Sequence, residues 1–278
     1  MSPKAARRSE LAKPTQSMAA ASDSWARRLW DQFGTLAVAV LLALAIRAFV
    51  IEPYRIPSGS MLPTLLIGDH LFVNKFAYGP KIPFTDYRLP GWRKPRRGDV
   101  VVFTVARDRA GRIYPADQHP EFDSDRFVKR IVGLPGDTIE LRDGVVFVNG
   151  QRVAWEPTQE TFTDEIGRVL RVGREQLDGH PHAILRNPNP AEVDPRVLQM
   201  SPVTLPPDRY FMMGDNRDSS NDSRFWGTVH GPDIKGPAFV LYWSWDWNGG
   251  WASLLNPATW WDLFAHKMRW DRIGHSIE

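Results

Sequence analysis

Ser60 stands in the segment Ile56-Pro57-Ser58-Gly59-Ser60-Met61-Leu62-Pro63-Thr64. Pro57 and Pro63 fix the backbone on both sides, and Gly59 relieves crowding immediately before the serine. Such a pattern holds a hydroxyl at a rigid, open turn, as a serine nucleophile requires. A Ser/Gly/Pro linker is the competing reading, although Met61, Leu62, Leu65 and Leu66 are too apolar for one. Lys129 lies in Phe127-Val128-Lys129-Arg130-Ile131-Val132, where strand alternation sets it on one face with Phe127 and Ile131. A lysine on an apolar face tends to lose its proton, which is what a general base needs. An edge-strand lysine that snorkels to water fits the same pattern. The third segment, Gly214 to Gly227, reads GDNRDSSNDSRFWG. It lacks the glycine and terminal glutamate spacing of a calcium loop, and its charge content alone fits a solvated turn.

Other chemistries are excluded more simply. The chain has no cysteine, so thiol nucleophiles, disulfides, iron–sulfur clusters and Cys-based zinc sites are all absent. The seven histidines show no metal spacing beyond a weak His180-x-His182 pair. No phosphate loop, Gly-x-Ser-x-Gly elbow or dinucleotide fingerprint occurs, so no cofactor or metal is expected. Lysine and arginine number 35 against 32 acidic residues, a net charge of +3 that makes no case for nucleic acid.

The elements that must position Ser60 and Lys129 begin with an apolar run over 33–51, charged only at Arg47. At helical rise it spans about 28 Å, close to the thickness of a bilayer core. A buried core helix, an interfacial helix and a signal peptide cleaved near Ala43-Leu44-Ala45 compete with a membrane anchor. The run lacks polar alternation, that triplet lies inside it, and 1–32 is long for a leader. A single uncleaved anchor is therefore expected. Lys13, Arg27 and Arg28 precede it while Arg55 alone follows closely, so residues 1–32 are read as a cytoplasmic tail and the rest as extracytoplasmic. Met18 competes with Met1 as the start.

Beyond the anchor the texture is β. Leu71 to Val73, Val100 to Phe103, Phe127 to Val132, Tyr210 to Met213 and Ala238 to Trp245 read as strands. Asp143-Gly144 and Asn149-Gly150 are hairpin turns. The expected fold is mainly β: one transmembrane helix, then an extracytoplasmic antiparallel catalytic domain with an inserted β lobe. The domain occupies 52–154, with 106–126 as an exposed arm, and resumes over 203–278, which ends in a Trp-rich region. The lobe is 155–202.

Spacing alone does not pair Ser60 with Lys129. Four blocks in order behind an anchor do more: PSGSMLPTLLIGDHLFVNKFAYG (57–79), RGDVVVF (97–103), FVKRIVGLPGD (127–137) and FMMGDNRDSSNDSRFWG (211–227). They closely resemble bacterial type I signal peptidases, the leader peptidase family of Ser–Lys proteases. The resemblance covers most of 50–150 and 203–245. It implies an enzyme of the cytoplasmic membrane's outer face that removes signal peptides from exported preproteins after small-x-small sites. It implies Ser60 as nucleophile, Lys129 as general base, and the Ser58 hydroxyl with the Ser60 backbone N–H as oxyanion hole. Ser220 corresponds to the serine that orients the lysine amine, and Asp222 and Arg224 to an ion pair bracing the site. Tyr54, Ile56, Met61, Leu71, Phe127 and Val128 fall where the family lines its small-residue pockets, although alternation sets Val128 opposite Lys129.

The implied partners are preproteins and the lipid bilayer, and the expected state is a monomer. Many family members have two N-terminal spans where one is visible here. Trp243, Trp245, Trp247, Trp251, Trp260 and Trp261 either touch the membrane interface or form a buried aromatic end to the domain. Rival functions are a narrow-client Ser–Lys peptidase, such as a pilin-processing enzyme, and a non-enzymatic anchored β module of the cell envelope. A self-cleaving repressor shares the dyad chemistry but needs a DNA-binding head where the anchor stands.

Overall fold

The computed structural model describes residues 23–82, 85, 87–246 and 256–277. Trp247, Trp251 and both candidate start methionines lie outside them. Two compact units divide at residue 46.

The first unit is the greater part of one helix, α1, Asp23–Phe49. Its window Gln32–Phe49 has a mean hydropathy of 1.9, and this is the one described helix long and apolar enough to cross a membrane. The run contains no proline, and leucine and alanine dominate it, residues that lose little on entering a helix. Leu36, Val38, Leu41, Leu42 and Leu44 are each more than half exposed. Ile51 opens a strand, so the helix ends two residues short of the apolar run's end.

In the second unit the strands described pair antiparallel, and a parallel bridge joins Leu185 to Asn216. Its strands are β1 Ile51–Arg55, β2 Asp69–Asn74, β3 Val100–Arg107, β4 Ile113–Pro115, β5 Asp123–Gly133, β6 Thr138–Arg142, β7 Val145–Val148, β8 Gln151–Arg152, β9 Ala154–Thr163, β10 Val169–Leu177, β11 His180–Arg186, β12 Met200–Thr204, β13 Arg209–Met213, β14 Val229–His230 and β15 Ile234–Ser244. The main sheet runs β1-β2-β15-β3-β5-β13-β14, with β4 on the far end of β3. Segment 106–126 is thus the β3–β4–β5 end of that sheet. A second sheet, β12-β6-β7-β8, turns at Asp143-Gly144 and Asn149-Gly150, all four at positive φ as a tight hairpin turn demands. Segment 155–202 contributes the third sheet, β11-β10-β9, and also strand β12 of the second.

Two apolar layers flank the centre of the main sheet. Val101, Phe103, Ile131, Tyr210 and Met212 pack on one face. Ile56, Met61, Leu65, Leu71, Val100, Val102 and Val128 pack on the other. A third cluster, Leu62, Leu170, Val172 and Leu185 with Leu66 and Phe162 against it, joins the β9–β11 sheet to the segment after Ser60.

The aromatic C-terminal region is mixed. Trp243 and Trp245 meet edge to face at 5.8 Å and are partly buried. Trp260 stacks on Phe264 yet remains 45% exposed, and Trp261 is 75% exposed.

Candidate active site

Lys129 sits on an interior strand. β5 pairs with β3 from Asp123 to Arg130, Val101 opposite Lys129, and with β13 from Arg130 to Gly133. Burial overturns the snorkelling reading: Lys129 is 4% exposed, although among the described residues the strand edge beside it is open on the side away from β3. Its Nζ lies 2.6 Å from Ser60 Oγ and 3.1 Å from the Val128 carbonyl oxygen, 5.3 Å from the centre of the Phe127 ring. Burial pulls its pKa down to about 8, and the Asp222 and Asp215 carboxylates limit the fall.

Ser60 lies in a single 3₁₀ turn, Gly59–Met61, not in a linker, because Met61, Leu62 and Leu65 behind it are buried. Ser58, extended at φ −142 and ψ 155, places its Oγ 3.5 Å from Ser60 Oγ. The turn is clamped from the 214–224 loop. Asn216 donates its backbone N–H to the Ser60 carbonyl at 3.2 Å and its Nδ2 to the Gly59 carbonyl at 3.1 Å. A Cβ on Gly214 would stand 2.3 Å from both the Ser60 carbonyl oxygen and Ser220 Oγ, so only glycine fits there.

That loop is no solvated turn. Asp215, Asn216, Arg217, Ser220, Asp222 and Ser223 are all buried. Arg130, on the opposite face of β5 from Lys129, holds Asp215 through bonds of 2.9 and 2.8 Å, and Thr64 Oγ1 donates to Asp215 at 2.6 Å. Arg224 makes two bonds to Asp222, at 2.8 and 2.7 Å, and Asp222 also accepts the Gly214 N–H. Burial alone would push both carboxyls up. The guanidiniums and hydrogen bonds more than offset it, so both sit below the usual carboxylate range. The Ser220 hydroxyl is buried without a well-formed hydrogen bond, near Asp222 rather than bonded to Lys129.

Around the pair lies a cavity of about 650 Å³. Tyr54, Ile56, Ser58, Met61, Phe127 and Val128 line it, whereas Leu71 lies beneath in the core layer. The Val128 side chain packs with Ile56 and Met61, as alternation requires, while its carbonyl accepts from Lys129. His182, the candidate chelator, instead sits with Nε2 3.2 Å from Glu175. Sequence reasoning missed Arg130, Asn216, Arg217 and Glu175. The sole signal for the first was two successive cations in an apolar strand, which only opposite buried faces can accommodate.

A hydroxyl 2.6 Å from a desolvated amine is the arrangement of a nucleophile beside its base. The class this defines is a candidate hydrolase acting through a serine. A family model for signal peptidase, peptidase S26, matches residues 29–243. Signal peptidase I of Pseudomonas aeruginosa is 36% identical over 219 residues, 74% of this chain and 69% of that one. Signal peptidase I of Leptolyngbya laminosa is 32% identical over 219 residues, 77% and 80% of the two chains. A solved signal peptidase I from Enterococcus faecalis shares 24% identity over 52% of this chain and 97% of its own, with a TM-score of 0.28, too low to bear on the fold. The chain belongs to the signal peptidase family, peptidase S26.

Proposed function

We propose that this protein is a membrane-anchored endopeptidase that removes signal peptides from exported preproteins, with Ser60 as nucleophile and Lys129 as general base. The observation that carries the reading is the 2.6 Å approach of a buried amine to a half-buried hydroxyl, 69 residues apart in the chain. The neutral amine takes the hydroxyl proton as Oγ attacks the scissile carbonyl carbon. The ammonium then protonates the departing amine, and water attacks the acyl-enzyme with Lys129 again as base. The Ser58 hydroxyl and the Ser60 backbone N–H meet the oxyanion, each such donor being worth about 3–4 kcal/mol. Ser220 and the Asp222–Arg224 pair hold the amine's surroundings in place.

Substrate binds as an extended strand. Between Phe127 and Lys129 the edge of β5 facing away from β3 has no strand partner among the described residues. It lies on the cavity that Tyr54, Ile56 and Met61 line. The shallow apolar floor there favours small side chains, since larger ones clash. The helix 23–49 anchors the enzyme in the cytoplasmic membrane, where the substrate's own apolar segment resides, and so raises their effective concentration. The tail lies in the cytoplasm and the β unit on the outer face, acting as a monomer, with exposed Trp260 and Trp261 at the interface.

The test is cleavage of a detergent-solubilised secretory precursor by wild type, Ser60→Ala and Lys129→Ala. The reading expects cleavage after a small-x-small triplet by wild type alone, with both variants folded. Equal cleavage by all three would sink the residue assignment, and an inert wild type the activity itself.

A further inference from the structure

The sheet of β9, β10 and β11 interrupts the chain between the Lys129 strand and the 214–224 loop, and the serine–lysine chemistry does not require it. Its placement gives it a role. The turn from β9 to β10 carries Asp164, Glu165, Ile166 and Arg168 into the wall of the same cavity that Ser60 and Lys129 line.

This wall is built, not draped. The Asp164 carboxylate accepts the backbone N–H groups of Ile166 at 3.1 Å and Arg168 at 2.8 Å, and Arg168 Nε at 2.7 Å. Arg168 also reaches Ser219 Oγ at 3.3 Å. Below the turn, Glu175 takes a two-pronged ion pair from Arg217, both groups being almost wholly buried. The Leu185 N–H of β11 donates to the Asp215 carbonyl at 2.9 Å. The loop that clamps Ser60 thus also clamps the lobe, which fixes the turn relative to the nucleophile before substrate arrives.

The charges lining the cavity are largely spoken for. Arg107 pairs with Asp125, Arg126 with Glu52, and Arg168 with Asp164. Glu165 is different: its carboxylate has neither an ion pair nor a hydrogen bond among the described residues. Partial burial, Asp246 and Asp164 push its pKa up, with Arg269 opposing.

We propose that the β9–β10 turn is the outer wall of the substrate cleft and that Glu165 selects a basic side chain in the precursor, next to the small-residue subsites of Tyr54, Ile56 and Met61. The proposal rests on the peptidase reading above. A lysine or arginine of the bound strand supplies the missing partner, and its long stem lets the cation cross the cleft mouth while the small residues stay seated.

The full chain in detergent would be given matched precursor peptides carrying Lys, Gln or Glu at each position flanking the cleavage site in turn. Wild type is expected to prefer Lys over Glu at one such position by about a factor of three in kcat/KM, the size of a solvent-accessible ion pair. Glu165→Gln should abolish the preference, and Glu165→Lys should invert it, a swing of about tenfold in the Lys-to-Glu ratio. The preference should also fade at high salt, which a merely structural effect of the substitutions would not show. Glu165 is exposed, so all three enzymes should share one melting temperature. An unchanged ratio across the three enzymes overturns the proposal while leaving the peptidase reading intact. Failure of wild type to cut any peptide overturns both.

Discussion

Lys129 offers the sharpest quantitative test of the proposed dyad, because its pKa decides how much of the protein would hold a neutral amine. An unperturbed lysine, with a pKa of 10.5, is neutral in about 0.03% of molecules at pH 7; at a pKa of about 8 the fraction is about 9%. Desolvation therefore raises the competent population at neutral pH about 300-fold. It does so by disfavouring the ammonium by about 3 kcal/mol, even though Asp222 and Asp215 pull the other way. The perturbation is pH itself. kcat/KM for a precursor peptide should rise about tenfold per unit below pH 8 and level off above it. The assay is initial-rate cleavage in a constant-ionic-strength buffer series, paired with circular dichroism to show that the fold survives throughout. An acid limb centred near 10, or one centred near 6.5 as a histidine would give, would refute the assignment of this amine as base.

Further outcomes follow from the surrounding contacts. Asp222→Asn removes the largest carboxylate influence that raises the Lys129 pKa, so the acid limb should move below 8; the same change orphans buried Arg224 and should cost about 3–5 kcal/mol in a urea titration. Gly214→Ala forces a methyl to 2.3 Å from the Ser60 carbonyl oxygen, and precursor cleavage should collapse while far-ultraviolet dichroism stays near wild type. Arg217 and His182 hold the Glu175 carboxyl at about 2 against burial, which would raise it. Because that pKa is depressed, its contribution of about 3 kcal/mol is present above pH 4.5 and lost as pH falls towards 2. Glu175→Gln should therefore destabilise the protein at neutral pH much more than at pH 3 when unfolding is followed by denaturant. Leu185→Ala, in the cluster under the lobe, should lower stability by about 2–5 kcal/mol.

The two glycine turns of the second sheet were plain in the sequence because Asp-Gly and Asn-Gly state a positive φ locally. The strands around Lys129 were equally plain from their apolar runs. The lobe was legible as an insertion but its individual strands were not, although β10 alternates between buried and exposed positions. Glu175 and His182 occupy buried positions there and in β11, so polar groups, the first of them matched by Arg217, break the apolar code that marks a strand. The same reasoning explains why the 214–224 loop resembled a solvated turn: its carboxylates Asp215, Asp218 and Asp222 are matched by Arg130, Arg186 and Arg224, and the first two of these lie on distant strands. The proximity of Ser60 and Lys129 is a product of tertiary folding, and no local pattern encodes a contact between such distant residues. The four resembling blocks supplied it instead.

Lys129 and Arg130 are neighbours in β5 that point to opposite sides, one toward a serine, the other into the grip of Asp215. Pairing of Val101 with Lys129 fixes which cation faces which way. A slip of β5 by one residue would hand Ser60 a guanidinium, a group that keeps its proton at any physiological pH. The slipped chain would keep the same net charge yet have no base, and it would set Ile131 against the wholly buried Asp215. The Arg130–Asp215 pair is therefore also a lock on strand registration: the slip that would remove the base strands a buried carboxylate and is penalised by the same contact that braces the loop.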